Sequence, residues 1–210
     1  MIDPLRIVDC EQGSPEWFAA RRGVVTSSKL ATVAVGGKGA QTYARELAAE
    51  LLSDAPAGEG YESSAMRHGK QYEPRARQRW GLDNPGCDIT VPGFVYHDET
   101  CRSGASSDGI VNGVGMLEIK CPQPAKHIEY KLAGELPKEY RWQVAGEMLV
   151  PGVEWVDFIS YSPQLEAAGA GYFCVRTTRE ELAKELEQAA TAIDNLTDWV
   201  DSMISRLVEK

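Results

Sequence analysis

Asp108, Glu118 and Lys120 are the residues of this sequence whose types and spacing suit chemistry best. They lie in Ser106-Ser107-Asp108-Gly109-Ile110 and Met116-Leu117-Glu118-Ile119-Lys120, with Asn112-Gly113-Val114-Gly115 between. Two carboxylates with a lysine beside them are what a metal-dependent nuclease needs. The acids hold Mg²⁺, and the lysine orients or deprotonates the attacking water. The acid-x-lysine triplet carries little by itself, because exposed strands often bear Glu and Lys as solvated charges. The upstream Asp, the turn and the apolar alternation give it weight.

The elements must place these groups together. A strand sends alternate side chains to one face, so Glu118 and Lys120 share a face while Leu117 and Ile119 point to the core. Asp108 and Glu118 are equidistant from Gly113. A hairpin loop with an odd residue count, or a bend at Gly109, sets the two acids opposite each other. A two-residue Asn112-Gly113 turn would pair Asp108 with Leu117 and separate the acids.

Around this hairpin the pattern reads as helices, three strands, a helical stretch, two strands and a last helix. Ser14-Pro15-Glu16 starts a helix that runs through Arg21-Arg22 to Gly23. Thr26-Ser27-Ser28 caps a short helix with Leu30 and Val33 inward. Gly36-Gly37-Lys38-Gly39 reads as a loop, without the Gly-Lys-Ser/Thr of a phosphate-binding P-loop. A helix covers 41–53, Ala55 to Gly60 is a loop, and a helix from Ser63 or Ser64 reaches Trp80, kinked or restarted at Pro74. Ile89 to Tyr96 is the first strand. Helices near 125–132 and 137–150 follow the hairpin. Val153 to Tyr161 and Gly171 to Arg176 are strands joined by the loop Ser162 to Gly169. Thr178 and Glu181 form a capping box for the last helix, whose stripe from Leu182 to Ile204 is a packing face. The class is α/β, a central mixed sheet flanked by helices.

The 210 residues, 43% hydrophobic and 25% charged, fit one compact domain over 1–210, or one domain with appended helices. It divides into N-terminal helices (14–82), sheet and helices (88–178) and a C-terminal helix (179–206). No apolar run of about 18 residues suggests a membrane span, and no signal peptide is evident. The cysteines Cys10, Cys87, Cys101, Cys121 and Cys174 are odd in number and dispersed. They read as reduced cytoplasmic thiols rather than iron–sulfur ligands. His68, His97 and His127 make no zinc-ligand pair, and no serine has a Gly-x-Ser-x-Gly setting. The net charge of −9 opposes a uniformly basic DNA-binding surface. Basic residues concentrate in 21–45 and 67–79 and acids in the tail, which suggests a basic channel inside an acidic shell.

Other residues admit two readings each. Glu73 is a third carboxylate for the site or a surface acid before Pro74. Gln143 contacts the substrate phosphate or attacking water, or is an ordinary helix residue beside Trp142 and Val144. Arg21 and Ser28 receive a phosphate monoester, or Ser28 caps a helix while Arg21 pairs with an acid.

Five blocks in order resemble a known family. They are Trp17 with Arg21-Arg22-Gly23-Val24-Val25-Thr26-Ser27-Ser28, Gly69-Lys70-Gln71-Tyr72-Glu73, Ser106-Ser107-Asp108-Gly109, Leu117-Glu118-Ile119-Lys120-Cys121-Pro122, and Gln143-Val144. Together they look like the phage lambda-type alkaline exonucleases, the viral recombinase family within the restriction-endonuclease-like nucleases. The resemblance implies a processive 5′→3′ exonuclease that degrades the 5′-ended strand of linear duplex DNA and leaves a 3′ overhang for annealing-type recombination. It implies two Mg²⁺ ions per site, with Mn²⁺ as a substitute, and a ring-shaped homotrimer. It also implies a phage single-strand annealing protein as partner, in the bacterial cytoplasm. Asp108, Glu118, the Ile119 carbonyl and Glu73 would be metal ligands. Lys120 would activate water, and Gln143 would assist. Arg21, Ser28 and Ser106 would form the 5′-phosphate pocket, Met66 an end-unpairing wedge and Lys38 a groove contact. Pro74 after Glu73, and Ser107 in place of the proline common before the catalytic Asp, depart from the pattern. The rivals are a structure- or site-specific endonuclease on the same core and a non-catalytic DNA-end-binding module.

Overall fold

Short N-terminal elements line one side of the site. The computed structural model describes residues 1–53 and 64–208, with side chains from Arg67 onward in the second stretch. β1 (Ile7–Val8) precedes α1 (Pro15–Arg21), which Ser14 caps by accepting the Trp17 N–H at 3.2 Å. β2 (Val25–Thr26) leads into a 3₁₀ turn at Ser27–Lys29 and then α2 (Leu30–Val35). Leu30 and Val33 face inward as expected, although Thr26 makes no side-chain cap bond. The expected glycine loop at 36–39 is replaced by the start of α3 (Gly37–Leu52). Gly36 and Gly37 both take left-handed φ, 73° and 69°. Glycine adopts this without a Cβ penalty, so α2 turns into α3 with no longer connection. Both helices then bury Leu30, Ala44 and Leu47 in one cluster.

α4 (Ser64–Asp83) continues through Pro74, so the helix does not restart there. Pro74 is exposed, and α4 is held from its other side, where Ala76 and Trp80 pack on the sheet. That packing outweighs the donor lost at one proline. The predicted loop Ala55 to Gly60 and Ser63 lie outside the described residues.

The expected strand 89–96 is two strands in different sheets. β3 (Ile89–Thr90) pairs with the hairpin strand at Ile110 and Val111, and β4 (Phe94–Tyr96) pairs with β1. Pro92 cannot donate to a ladder. At Gly93 any Cβ would stand 2.3 Å from Cys10 Sγ, and its N–H bonds Val8 O at 3.0 Å. The chain changes sheets at this point. β5 (Ser103–Ala105) completes a four-stranded sheet in the order β1-β4-β5-β2.

β6 (Gly109–Val111) and β7 (Gly115–Lys120) form the hairpin. Their register pairs Gly109 with Leu117, Ile110 with Met116 and Val111 with Gly115. Both turn readings contribute. Asn112 and Gly113 take positive φ, and Val114 N donates to Val111 O as in a two-residue turn. Val114 is then an extra residue, so the loop count is odd. Extended one step, this register sets Asp108 opposite Glu118.

α5 (Pro124–Ala133), a 3₁₀ turn at Lys138–Tyr140 and α6 (Arg141–Met148) cross over to β8 (Trp155–Tyr161), parallel to β7. β9 (Tyr172–Thr178) closes a five-stranded sheet ordered β3-β6-β7-β8-β9. Pro163–Ala168, expected as loop, is a 3₁₀ segment. α7 (Ala183–Val208) begins one turn after the Thr178–Glu181 pair, whose bonds run from Thr178 N and Oγ1 to Glu181 at 2.7 and 3.0 Å. Two mixed sheets with helices on their faces therefore stand in place of one, and the class remains α/β.

The alternation on β7 has the expected sense. Leu117 and Ile119 join Ala76, Trp80 and Ile159 under α4. Met116 turns to the opposite face, with Val144 and Met148 of α6. The stripe of α7 packs Ala189, Ile193, Leu196 and Val200 against α2 and α3.

Candidate active site

One cleft of about 160 Å³ gathers nearly every candidate. Its lining includes Asp108, Glu118, Ile119 and Lys120 of the hairpin, Glu73 of α4 and Gln143 of α6. It also includes Arg21, Ser28 and Ser106, together with Thr26 and Ser27. Lys38 does not line the cleft. It is exposed in the first turn of α3, so the expected loop contact has become a helix position. Met66 lies in the first turn of α4, and its side chain is outside the described residues.

The acids are held in place by their neighbours. Asp108 Oδ2 accepts the Ile119 N–H at 2.6 Å, which ties it across the hairpin. Glu118 is 1% exposed and accepts from Gln143 Nε2 at 2.7 Å and Lys120 Nζ at 2.5 Å, both on Oε1. The Gln143 reading is thereby narrowed, since its amide reaches into the site. The Lys120 ammonium also stands 5.3 Å from the centre of the Tyr140 ring.

The electrostatics follow from crowding. Burial, then the carboxylates of Glu118 and Glu73, raise the Asp108 carboxyl well above the usual range. Burial raises Glu73 as well, against the pull of Lys120 and Arg77. Burial opposes the charge on Lys120, but Glu118 and Asp108 outweigh it and push the ammonium upward. Three carboxylates thus face one lysine. Burial first, and then mutual repulsion, keep the Asp108 and Glu73 carboxyls raised despite that lysine. Among the described residues, no three His, Cys, Asp or Glu side chains form a ready-made metal cage.

A second group of residues stands at the other end of the cleft. Arg21 Nη1 and Trp17 Nε1 both donate to Ser106 Oγ, at 2.9 and 3.0 Å. The Arg21 guanidinium lies 4.1 Å over the Trp17 ring, a geometry of cation–π attraction. Burial lowers Arg21, partly offset by Tyr43 and Glu50. Ser28 Oγ is 3.3 Å from Thr26 Oγ1. A desolvated guanidinium with two serine hydroxyls can receive an anion through charge-assisted bonds.

Sequence reasoning missed Glu147, which is 1% exposed and has no hydrogen-bond partner on either oxygen among the described residues. Burial, then Glu118, raise its carboxyl well above the usual range. One signal was available, because Gln143 and Glu147 are four apart on one helix and so share a face. It also missed Trp17, whose indole fixes Ser106, and the donors that hold the loop before Asp108. Gln12 Nε2 donates to Ser107 O at 3.0 Å, and Arg77 Nε to Asp108 O at 2.7 Å. Ser107, in the place of a proline, is fully buried and bonds Gly109 through both its N–H and its carbonyl.

Comparison with known proteins agrees with this fold. The YqaJ-like viral recombinase domain matches residues 16–154, and the chain belongs to that family. An alkaline exonuclease from Laribacter hongkongensis, LHK-Exo, is 32% identical with a TM-score of 0.78, covering 93% of this chain and 99% of its own. The same enzyme in complex with dAMP aligns at 31% identity and TM-score 0.79, with the same coverage. A phage-related exonuclease from Haemophilus somnus 129PT shares the fold at 17% identity and TM-score 0.59, covering 87% of this chain and 96% of its own. No curated protein sequence matches. The expected kinship with lambda-type alkaline exonucleases therefore holds.

Proposed function

We propose that this deoxyribonuclease is a Mg²⁺-dependent, processive 5′→3′ exonuclease. It degrades the 5′-ended strand of linear duplex DNA to mononucleotides and leaves a 3′ overhang. The observation that carries the reading is the cleft itself. Carboxylates with a lysine occupy one part of it, and a buried arginine with serines occupies another. A hydrolytic centre beside a terminal-phosphate receptor gives direction to the reaction.

The donor set suits magnesium. Asp108, Glu118, Glu73 and the Ile119 carbonyl are hard oxygen donors, and burial raises the Asp108 and Glu73 carboxyls, which a bound cation would offset. Magnesium uses one or two carboxylates with waters and substrate phosphates rather than a full protein cage, which agrees with the open arrangement. Two ions fit the three acids, and Mn²⁺ takes similar ligands. Bound there, the metal supplies Lewis-acid polarisation of a phosphoryl oxygen and acidification of water.

The chain's own residues do the rest. Lys120, paired with Glu118 and raised in pKa, acts as a cation. It orients water and balances charge on the phosphoryl oxygens, rather than taking a proton in this ion-paired state. Gln143 fixes Glu118 in one rotamer. Arg21, Ser28 and Ser106 hold the 5′-phosphate and advance the end after each cut. The remaining readings are a ring-shaped homotrimer, a single nuclease domain over 1–210, an annealing-protein partner and action in the bacterial cytoplasm. They rest on the family. Among the described residues, no helix is long and apolar enough to cross a membrane.

The test is digestion of a 5′-phosphorylated linear duplex in Mg²⁺, with product size and strand polarity read directly. Release of mononucleotides from the 5′ strand supports the reading. Cutting of covalently closed circles would point to an endonuclease. Binding of ends without turnover would point to a recruiting module.

A further inference from the structure

Arg77 lies one helical turn beyond Glu73 on α4, so both side chains share a face. Its Nε–H donates at 2.7 Å to the main-chain carbonyl of Asp108. That carbonyl lies where the hairpin leaves its regular ladder, since pairing ends at Gly109 with Leu117. The Arg77 charge also stands within electrostatic reach of Glu73. One side chain of the helix that carries Glu73 therefore grips the strand end that carries Asp108. Its neighbours on α4 are engaged elsewhere. Arg75 pairs with Glu166 at 2.5 Å and Arg79 with Asp83 at 3.0 Å.

We propose that Arg77 is a positioning residue that sets the distance between Asp108 and Glu73, and thereby prepares the cleft to bind divalent metal. The inference rests on the metal reading above. A guanidinium is planar and rigid, so a fixed Nε–H can hold a carbonyl while the charge faces a carboxylate. A lysine ammonium cannot do both from the same backbone position. Without Arg77 the Asp108 carbonyl loses its side-chain donor, and the two carboxylates lose a shared anchor.

The experiment uses the full chain and its variants Arg77→Met and Arg77→Lys. Mn²⁺ binding is measured by calorimetry without DNA, melting in chelator, and the Mg²⁺ concentration for half-maximal cleavage on linear duplex. Outer-shell partners are worth about 10–100-fold in metal affinity. Mn²⁺ affinity should fall by about tenfold or more in both variants, with a parallel rise in the Mg²⁺ requirement. Arg77→Lys should keep its melting temperature in chelator. If wild type binds Mn²⁺ and both variants bind it equally tightly, the proposal is overturned. A loss of melting temperature with unchanged Mn²⁺ affinity overturns it too, leaving Arg77 a structural staple. If Arg77→Met does not fold, Arg77→Lys decides by the same affinity ratio. A wild-type chain that binds no Mn²⁺ overturns the metal reading instead.

Discussion

Lys120 carries the sharpest residue-scale expectation. Its ammonium holds Glu118 at 2.5 Å, so Lys120→Met removes the proposed water-orienting cation and leaves the buried Glu118 carboxylate with Gln143 but no ion pair. Cleavage should fall by about 100-fold or more, while binding of DNA ends in Ca²⁺ persists. Rates near wild type would show that Lys120 is only a counter-ion. Asp108 gives the opposite sign for stability. A carboxyl whose folded pKa is raised contributes stability below its unfolded pKa and loses it as pH rises through the folded value. Asp108→Asn should therefore stabilise the metal-free chain at pH 8 by about 1 kcal/mol, seen as a higher melting temperature, while abolishing cleavage. His97 works at lower pH. Burial pushes its imidazole down to about 4, so the folded chain keeps it neutral while the unfolded chain protonates below about 6.5. Stability should fall between those values, and His97→Gln should flatten that fall in urea titrations. At this scale the sequence was readable where spacing alone decides. Asp108, Glu118 and Lys120 needed only a turn centre and a strand period. The roles of Trp17 and Arg77 were not readable, because they come from contacts made by the fold, and Glu147 offered only its spacing from Gln143.

At the scale of elements, close approaches of backbone decide the site. Gly146 of α6 lies against the Ser27 turn, and a Cβ there would stand 2.7 Å from Ser27 Cβ and Oγ. Gly146→Ala should push α6, and Gln143 with it, away from Ser28. The expected cost is about 1–3 kcal/mol of stability, with a fall in cleavage that exceeds the loss of folded protein. Unchanged melting would mean that the contact yields freely. The long elements were legible, because α7 and β7 carry many turns or alternations of one period. The short strands β1, β2 and β5 were not, since two or three residues show no period. The break at Pro92-Gly93 could have been read as a change of sheet, but local residues do not say which sheet each half joins. The α2–α3 junction misled for a related reason. Its glycines signal a turn, and the helix beyond is kept by packing on α7.

At the scale of the whole molecule, charge is distributed differently from the simple expectation. Arg75 and Arg79 are spent on ion pairs and Arg77 on a carbonyl, so the 67–79 stretch offers less free positive charge than its composition suggests. Arg102 pairs with Asp201 of the acidic last helix at 2.8 Å. Fewer free cations beside the cleft would suit an enzyme retained on DNA by the proposed ring. The proposed ring makes this measurable, since light scattering on the active sample should give three times the chain mass. A monomeric active species would remove the topological argument.

The central claim is that one cleft joins metal-dependent hydrolysis to a receptor for a terminal phosphate. It is tested most directly by timing digestion of linear duplexes with a 5′-phosphate or a 5′-hydroxyl, in Mg²⁺, for wild type and Arg21→Ala. Loss of a charged hydrogen bond is worth about 1.5–3 kcal/mol. Wild type should therefore start on phosphorylated ends about 10–100-fold faster than on hydroxyl ends, and Arg21→Ala should erase that preference. Equal rates on both ends by wild type, or an undiminished preference in Arg21→Ala, would contradict it.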